Sequence, residues 1–213
     1  MSDFAFLIKE IWGGQSVTRS FLDLRLKKET LTGTVMDIGG GKNSDYVTFM
    51  PRADGVRFTN FDIKNGASVD FEKDNLPLES DSCDTVLFLN VMEHIFNYQH
   101  IANEVVRITR PDGRLIGFVP FLMWYHADHR DFFRYTHEAL EIIFTNAGAK
   151  KITIESISFG PFAASAQMVL FSVPRVLRVP IFSLAYLLDS LFLILRPQHG
   201  KRYALGYYFV LTK

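Results

Sequence analysis

The chain has 213 residues, enough for one full α/β domain with a sizeable core. Its 23 basic and 23 acidic residues cancel, which removes the basic excess expected of a nucleic-acid partner. The single cysteine, Cys83, excludes an internal disulfide and a cysteine-cluster metal site and fits a reducing compartment.

The opening MSDFAFLIKEIWGG carries Asp3 and Glu10 and lacks a long apolar run, so it does not read as a secretory signal, and a cytoplasmic location is expected. Residues 1–30 mix Phe21, Leu22, Leu24 and Leu26 with Arg19, Asp23, Arg25, Lys27 and Lys28, an amphipathic helical pattern broken at Gly13-Gly14. This segment is expected to pack on a sheet; the alternative is a lid with Trp12 or Arg19 reaching a ligand. The stretch TVMDIGGGKNSD follows over 34–45. Val35, Met36 and Ile38 read as a buried strand, three glycines break it, and Asn43 or Ser44 can cap a helix. Such a turn lets backbone approach a ligand at the carboxyl end of a parallel strand. It is not a G-x-G-x-x-G fingerprint, because Ser44 holds the third position, so a plain tight turn stays open beside a ligand loop.

Residues 46–50 read as a crossover helix stopped by Pro51. Residues 56–61 read as a second strand ending at Asp62, where an acid can accept from both ribose hydroxyls or cap a helix. A short third strand is expected over 67–71, near Asp70. Residues 85–89, bounded by Asp84 and Asn90, suit a central buried strand, the fourth. Ile101, Val105 and Ile108 mark the next helix; Pro111-Asp112-Gly113 reads as a turn and 114–119 as the fifth strand. The alternation predicts a doubly wound parallel sheet. The loop 121–136, FLMWYHADHRDFFRYT, concentrates histidine, arginine and aromatic side chains where an α/β sheet places its ligand crevice. A buried aromatic loop is the competing reading.

Residues 151–159 and 203–211 alternate like a sixth and a seventh strand. Between them, 161–200 are strongly apolar, interrupted by Pro174, Arg175, Arg178 and Pro180. No stretch reaches 18 uninterrupted apolar residues, so an in-plane membrane anchor is expected rather than a spanning helix; an added core layer or a dimer interface is the alternative.

VMDIGGG, Asp62, LPLESDSCDTVLFLNVMEHI and ITRPDGRLIGFVP, in this order and spacing, resemble the class I S-adenosylmethionine-dependent methyltransferases. That family carries a D-x-G-x-G loop, an acid ending strand two, an LPF-type turn before an F-D strand, an LEH-type helix start and a KPGG-type turn. Asn43 replaces the third loop glycine, and Cys83 the usual phenylalanine. The resemblance implies a doubly wound, seven-stranded, mostly parallel Rossmann-like sheet forming one domain over 1–213. It places a hydrophobic helical insert between strands six and seven. It implies S-adenosylmethionine as cofactor, with Asp37, Gly39, Gly40 and Gly41 along its methionine part and Asp62 on its ribose. Asp70 and Phe71 would flank the adenine, with Glu72 competing, and Asn90 and Val91 would sit at the mouth of strand four. Glu93 and His94 belong to the LEH-type element, as a helix-start pair or as catalytic groups.

The loop further resembles the H-x-x-x-x-D-[FY]-x-R-[FY]-T stretch of methyltransferases encoded with bacterial surface-polysaccharide pathways, here His126, Asp131, Phe132, Arg134, Tyr135 and Thr136. A sugar hydroxyl is a weak nucleophile that benefits from a base, and histidine suits that at neutral pH. His126 or His129 is therefore the expected base, oriented by Asp128 or Asp131. No metal is expected. The leading function is O-methylation of a sugar on a lipid-linked or surface glycan, with peripheral contact through 161–196 at the inner face of the plasma membrane. The alternatives are a lipophilic phenolic or quinone-like acceptor, and a cofactor-binding but inactive membrane-associated subunit. An oligomer is compatible with each.

Overall fold

The computed structural model describes residues 1–41, 45–61, 69–127 and 130–213. Helices α1 (Asp3–Gly13) and α2 (Val17–Leu26) open the chain, separated at Gly14, whose φ of 102° lets its N–H close the first helix. Strands β1 (Thr34–Ile38), β2 (Arg57–Phe61), β3 (Cys83–Leu89), β4 (Thr109–Pro120), β5 (Lys151–Ile157) and β6 (Gly206–Thr212) form one sheet in the order β2-β1-β3-β4-β6-β5. The pairs β1–β2, β1–β3 and β3–β4 are parallel; β6 runs antiparallel to both β4 and β5.

The expected count of seven strands is corrected to six among the described residues, and β6 alone reverses direction, so the sheet is partly antiparallel. Of the expected third strand, 67–68 lie outside the described residues and 69–71 are loop and turn. The reason is local. The Asp70 carboxylate accepts from the Glu72 N–H at 3.0 Å, and the Asp74 carboxylate accepts from the Asp70 N–H at 2.9 Å. Such side-chain bonds draw the backbone into a turn and away from a ladder. The crossover expected at 46–50 is a short 3-10 helix, Asp45–Phe49. Pro111-Asp112-Gly113 does not precede its strand but bulges within it: Cys83 pairs with Thr109, and two residues later Thr85 pairs with Arg114.

Helices α3 (Tyr98–Ile108) and α4 (His137–Asn146) cover one face. Ile101, Val105 and Ile108 are buried there with Val86, Phe88, Leu140, Phe144 and Phe209, as the helical spacing predicts. On the other face Leu22, Leu26, Tyr46 and Val47 pack over Val35, Leu87 and Ile116.

A third cluster joins α1 to the insert, helices α5 (Pro161–Val169) and α6 (Arg175–Leu195), through Leu7, Ile11, Ala163 and Phe182. Pro180 lies inside α6 without ending it. It removes one backbone donor near the start of a 21-residue helix, which continues past it for a total of about 31 Å. By length and composition α6 is thus long and apolar enough to cross a membrane. Its one acid, Asp189, is fully buried and accepts from the Phe162 and Ala163 N–H groups at 3.0 and 2.7 Å, capping α5 from a neighbouring helix. A Cβ on Gly160 would stand 2.2 Å from the Asp189 carboxylate, so the chain passes tightly over it. Asp189→Ala leaves two helix-start donors unmet, and is expected to cost about 2 kcal/mol and to lower Tm by about 5 °C in a thermal melt.

Candidate functional site

The carboxyl ends of β1, β2 and β3 meet at the glycine turn. Gly39 and Gly41 both adopt positive φ, 76° and 68°. The Gly39 N–H donates to Phe61 O at 2.8 Å, and the Asn60 amide donates to Gly41 O, so the turn is fastened to the end of β2. A Cβ on Gly39 would lie 2.6 Å from Val91 Cγ2, so the turn fits against the segment after β3 only because that side chain is missing. Asn90, with φ 54°, turns the chain at the tip of β3 and donates its N–H to Phe118 O at 2.9 Å. Gly39, Gly40 and Gly41 are all partly open to solvent. Below them Asp37 is fully buried and accepts from the Tyr46 hydroxyl at 2.6 Å. The Arg19 guanidinium stands 5.2 Å from the Tyr46 ring centre, so α2 reaches the turn through an intermediary.

One residue beyond Val91 begins a single 3-10 turn, Met92–His94. Glu93 is fully buried there, and neither carboxylate oxygen has a hydrogen-bond partner among the described residues. Burial pushes its pKa up to about 8. His94 Nδ1 bonds to Arg130 O; a carbonyl only accepts, so this nitrogen carries a proton. His94 Nε2 lies 3.8 Å from Glu93 Oε1, and the His126 ring stands 5.2 Å from the His94 ring at 68°.

The segment after β4 is laced onto this turn. Phe132 donates its N–H to Glu93 O at 2.9 Å, and the Tyr135 hydroxyl donates to Met92 O at 3.3 Å. Asp131 takes a fork of two bonds from Arg134, at 2.5 and 2.7 Å, and a third from the His126 backbone N–H at 2.9 Å. The Arg134 guanidinium holds its pKa down to about 2. Arg134 also donates to Trp124 O at 3.1 Å, which closes the segment on itself.

A family model described as a methyltransferase domain matches residues 14–153, which contain the glycine turn, the Glu93–His94 turn and the aromatic loop. The chain belongs to this family. Solved structures agree in fold. A Haloferax volcanii chain solved in complex with the Trm112 methyltransferase activator is 15% identical with a TM-score of 0.55, covering 99% of this chain and 97% of that one. An S-adenosylmethionine-dependent methyltransferase from Thermotoga maritima is 14% identical with a TM-score of 0.53, covering 92% and 91%. The Haemonchus contortus phosphoethanolamine N-methyltransferase 2, solved with S-adenosylmethionine, is 13% identical with a TM-score of 0.55, covering all of this chain and 57% of that one. No curated protein matches the chain.

In this methyltransferase-domain chain the residues expected from sequence divide into groups. The glycines, Asn90 and Val91 come together at the carboxyl edge of the sheet. Asp37 stands beneath them with Tyr46 on its carboxylate. Asp62, Asp128 and His129 lie outside the described residues. Phe71 is only 4% exposed and stacks on Phe61 with centres 6.2 Å apart, so its ring faces belong to the core rather than to an open adenine slot. Asp70 is exposed in its turn. Glu72 accepts from the Phe96 and Asn97 N–H groups at 2.8 and 2.7 Å and so caps the start of α3, which takes it out of the competition for the adenine. Asp131 is engaged by Arg134 and the His126 backbone, so what it fixes is the course of the loop.

Trp12 is placed against α6, not over the turn: its carbonyl accepts from Arg175 Nε at 2.7 Å. The sequence reading did not join Glu93 and His94 to His126, because two separate segments bring them together. Their ligating atoms all lie within 4.8 Å of one another, a grouping of two imidazoles and a carboxylate that can hold a divalent metal ion. The available signal was a glutamate inside the apolar run NVMEHI, since a buried acid seldom occurs without a task.

Proposed function

We propose that this chain is an S-adenosylmethionine-dependent methyltransferase that O-methylates a sugar of a lipid-linked or surface glycan at the cytoplasmic face of the membrane. The observation that carries the reading is the continuity of the site. The glycine turn packs on Val91, and the Glu93–His94–His126 cluster starts two residues further on. The glycine backbone suits the methionine part of the cofactor, because the one position facing Val91 has no room for a side chain. Asp62, by the family resemblance, supplies the ribose acceptor. When bound, the cofactor supplies an electrophilic methyl group.

The chain's own residues then have to align a hydroxyl, exclude water and take its proton. His126, or His129 in the same loop, is the proton acceptor. Asp131 and Arg134 set the course of the loop that carries both. Glu93, its pKa raised by burial to about 8, is largely protonated at pH 7 and lies 3.8 Å from His94 Nε2. This keeps the cluster's single carboxyl uncharged as the hydroxyl approaches. His126→Ala is expected to lower turnover by about 10²- to 10⁴-fold while calorimetric affinity for S-adenosylmethionine stays within about twofold. Full activity in both His126→Ala and His129→Ala would remove the base assignment.

A lipophilic phenolic or quinone-like acceptor is the second reading, favoured by exposed aromatic side chains on the loop and beside it, Tyr125 at 75% and Phe96 at 63%. Such an acceptor is more acidic than a sugar hydroxyl and would leave turnover far less sensitive to loss of the histidine. Cofactor binding without transfer to either acceptor would favour the inactive subunit.

A further inference from the structure

We infer that the α5–α6 hairpin is an in-plane docking face for an anionic lipid surface, and that it presents the loop 121–136 to an acceptor whose tail remains in that surface. Leu177, Leu184, Leu187, Leu191 and Ile194 recur at intervals of three, four and seven residues and are 47–75% exposed. That is one continuous stripe along a helix of about 31 Å. Phe171 and Val169 extend it at the head of α6, and Trp12, 52% exposed, joins it through the Arg175 guanidinium 5.5 Å above its ring. An apolar face of this length is unusual on a soluble monomer.

Charge selects the occupant. Residues 161–203 carry Arg175, Arg178, Arg196, Lys201 and Arg202 against the single acid Asp189, in a chain whose total charge is zero. Asp189 is fully buried beneath the hairpin, so the surface it offers is apolar and cationic. A second copy docked face to face would bring the same cations together with no exposed acid to meet them. A bilayer with anionic headgroups accepts both features at once.

The opposite face of α6 decides how it lies. Phe182, Ala185 and Asp189 are buried there, Tyr186 stacks on Phe159 with centres 4.4 Å apart, and Asp189 holds two α5 amides. Inserting α6 across the bilayer would strip those contacts and carry a carboxylate into hydrocarbon. The helix therefore lies along the surface. At its head Phe171 meets Trp124 edge-on with centres 5.3 Å apart, and Gln167 donates to Met123 Sδ at 3.1 Å. Both partners belong to the segment that carries His126, so the docking face and the acceptor loop are contiguous. The acceptor half of the inference rests on the methyltransferase reading; the lipid half does not.

The test is flotation of the full-length protein with vesicles of phosphatidylcholine alone and of phosphatidylcholine with phosphatidylglycerol. The wild type is expected to float with the anionic vesicles and much less with the neutral ones. L184E/L191E, at two exposed positions, is expected to stay at the bottom of the gradient with an unchanged melting curve. R196E/K201E/R202E is expected to weaken anionic partition on the order of a hundredfold. Alkaline carbonate is expected to release the wild type. Wild type that floats with neither vesicle, L184E/L191E that floats as well as wild type, or wild type that resists carbonate would each overturn the inference. So would a wild-type dimer that L184E/L191E converts to monomer without any lipid binding. Flotation is read without substrate, so vesicle binding with no methyl transfer would sink the enzymatic reading and leave the lipid face standing.

Discussion

Gly39→Val is expected to weaken S-adenosylmethionine binding by a hundredfold or more in a calorimetric titration. Two costs fall on one residue. A φ of 76° strains any side-chain-bearing residue by about 1–2 kcal/mol, and a β-branched one more. The new Cβ would also lie 2.6 Å from Val91 Cγ2, and Val91 is itself 7% exposed with little room to retreat. The turn must then move away from β3, and the Gly39 N–H bond to Phe61 O and the Asn60 bond to Gly41 O move with it. A displacement on the order of 1 Å at this point changes every backbone group offered to the cofactor. Gly39→Ala carries the same strain with a smaller clash and should fall between. Unchanged affinity in the valine variant would show that the cofactor does not sit on this turn.

The second large effect belongs to Glu93→Gln, and its sign depends on pH. In the unfolded chain the carboxyl ionises near its ordinary value of 4.5; in the folded protein burial raises this to about 8. Between those values the folded state holds a proton that the unfolded state has released, so wild-type stability falls as pH rises through that window. The slope is up to about 1.4 kcal/mol per pH unit. Glutamine cannot ionise. The variant should therefore melt at nearly the same temperature from pH 5 to pH 8, and at pH 8 several degrees above wild type. Melting curves that shift in parallel with pH for both proteins would remove Glu93 from this role.

These residues also mark what the sequence made legible. The apolar run of β3 and the 3.6-residue spacing of Ile101, Val105 and Ile108 are local patterns, and the structure follows them. Asn90 and Val91 could be placed at a strand tip because a buried strand of known length fixes where it ends. What escaped was set by contacts between distant segments. Glu93 and His94 become a cluster only when the loop after β4 folds back with His126. Asp131 looked available as an orienting acid because Arg134, three residues on, gives no sequence sign that it closes a fork. Arg178 and Pro180 interrupt the apolar run, yet α6 continues past them with Phe182, Ala185 and Asp189 buried. Asp70 shows the reverse, a local carboxylate turn overriding a weak strand pattern.

The most direct measurement is transfer of isotopically labelled methyl from S-adenosylmethionine to extracted lipid-linked glycans by the wild-type protein, with His126→Ala alongside. A labelled methyl ether on a sugar, formed by the wild type and at least about a hundredfold more slowly by the variant, is the expected result. Label that stays in the cofactor with every glycan offered, or that appears on nitrogen or a carboxylate, would contradict it.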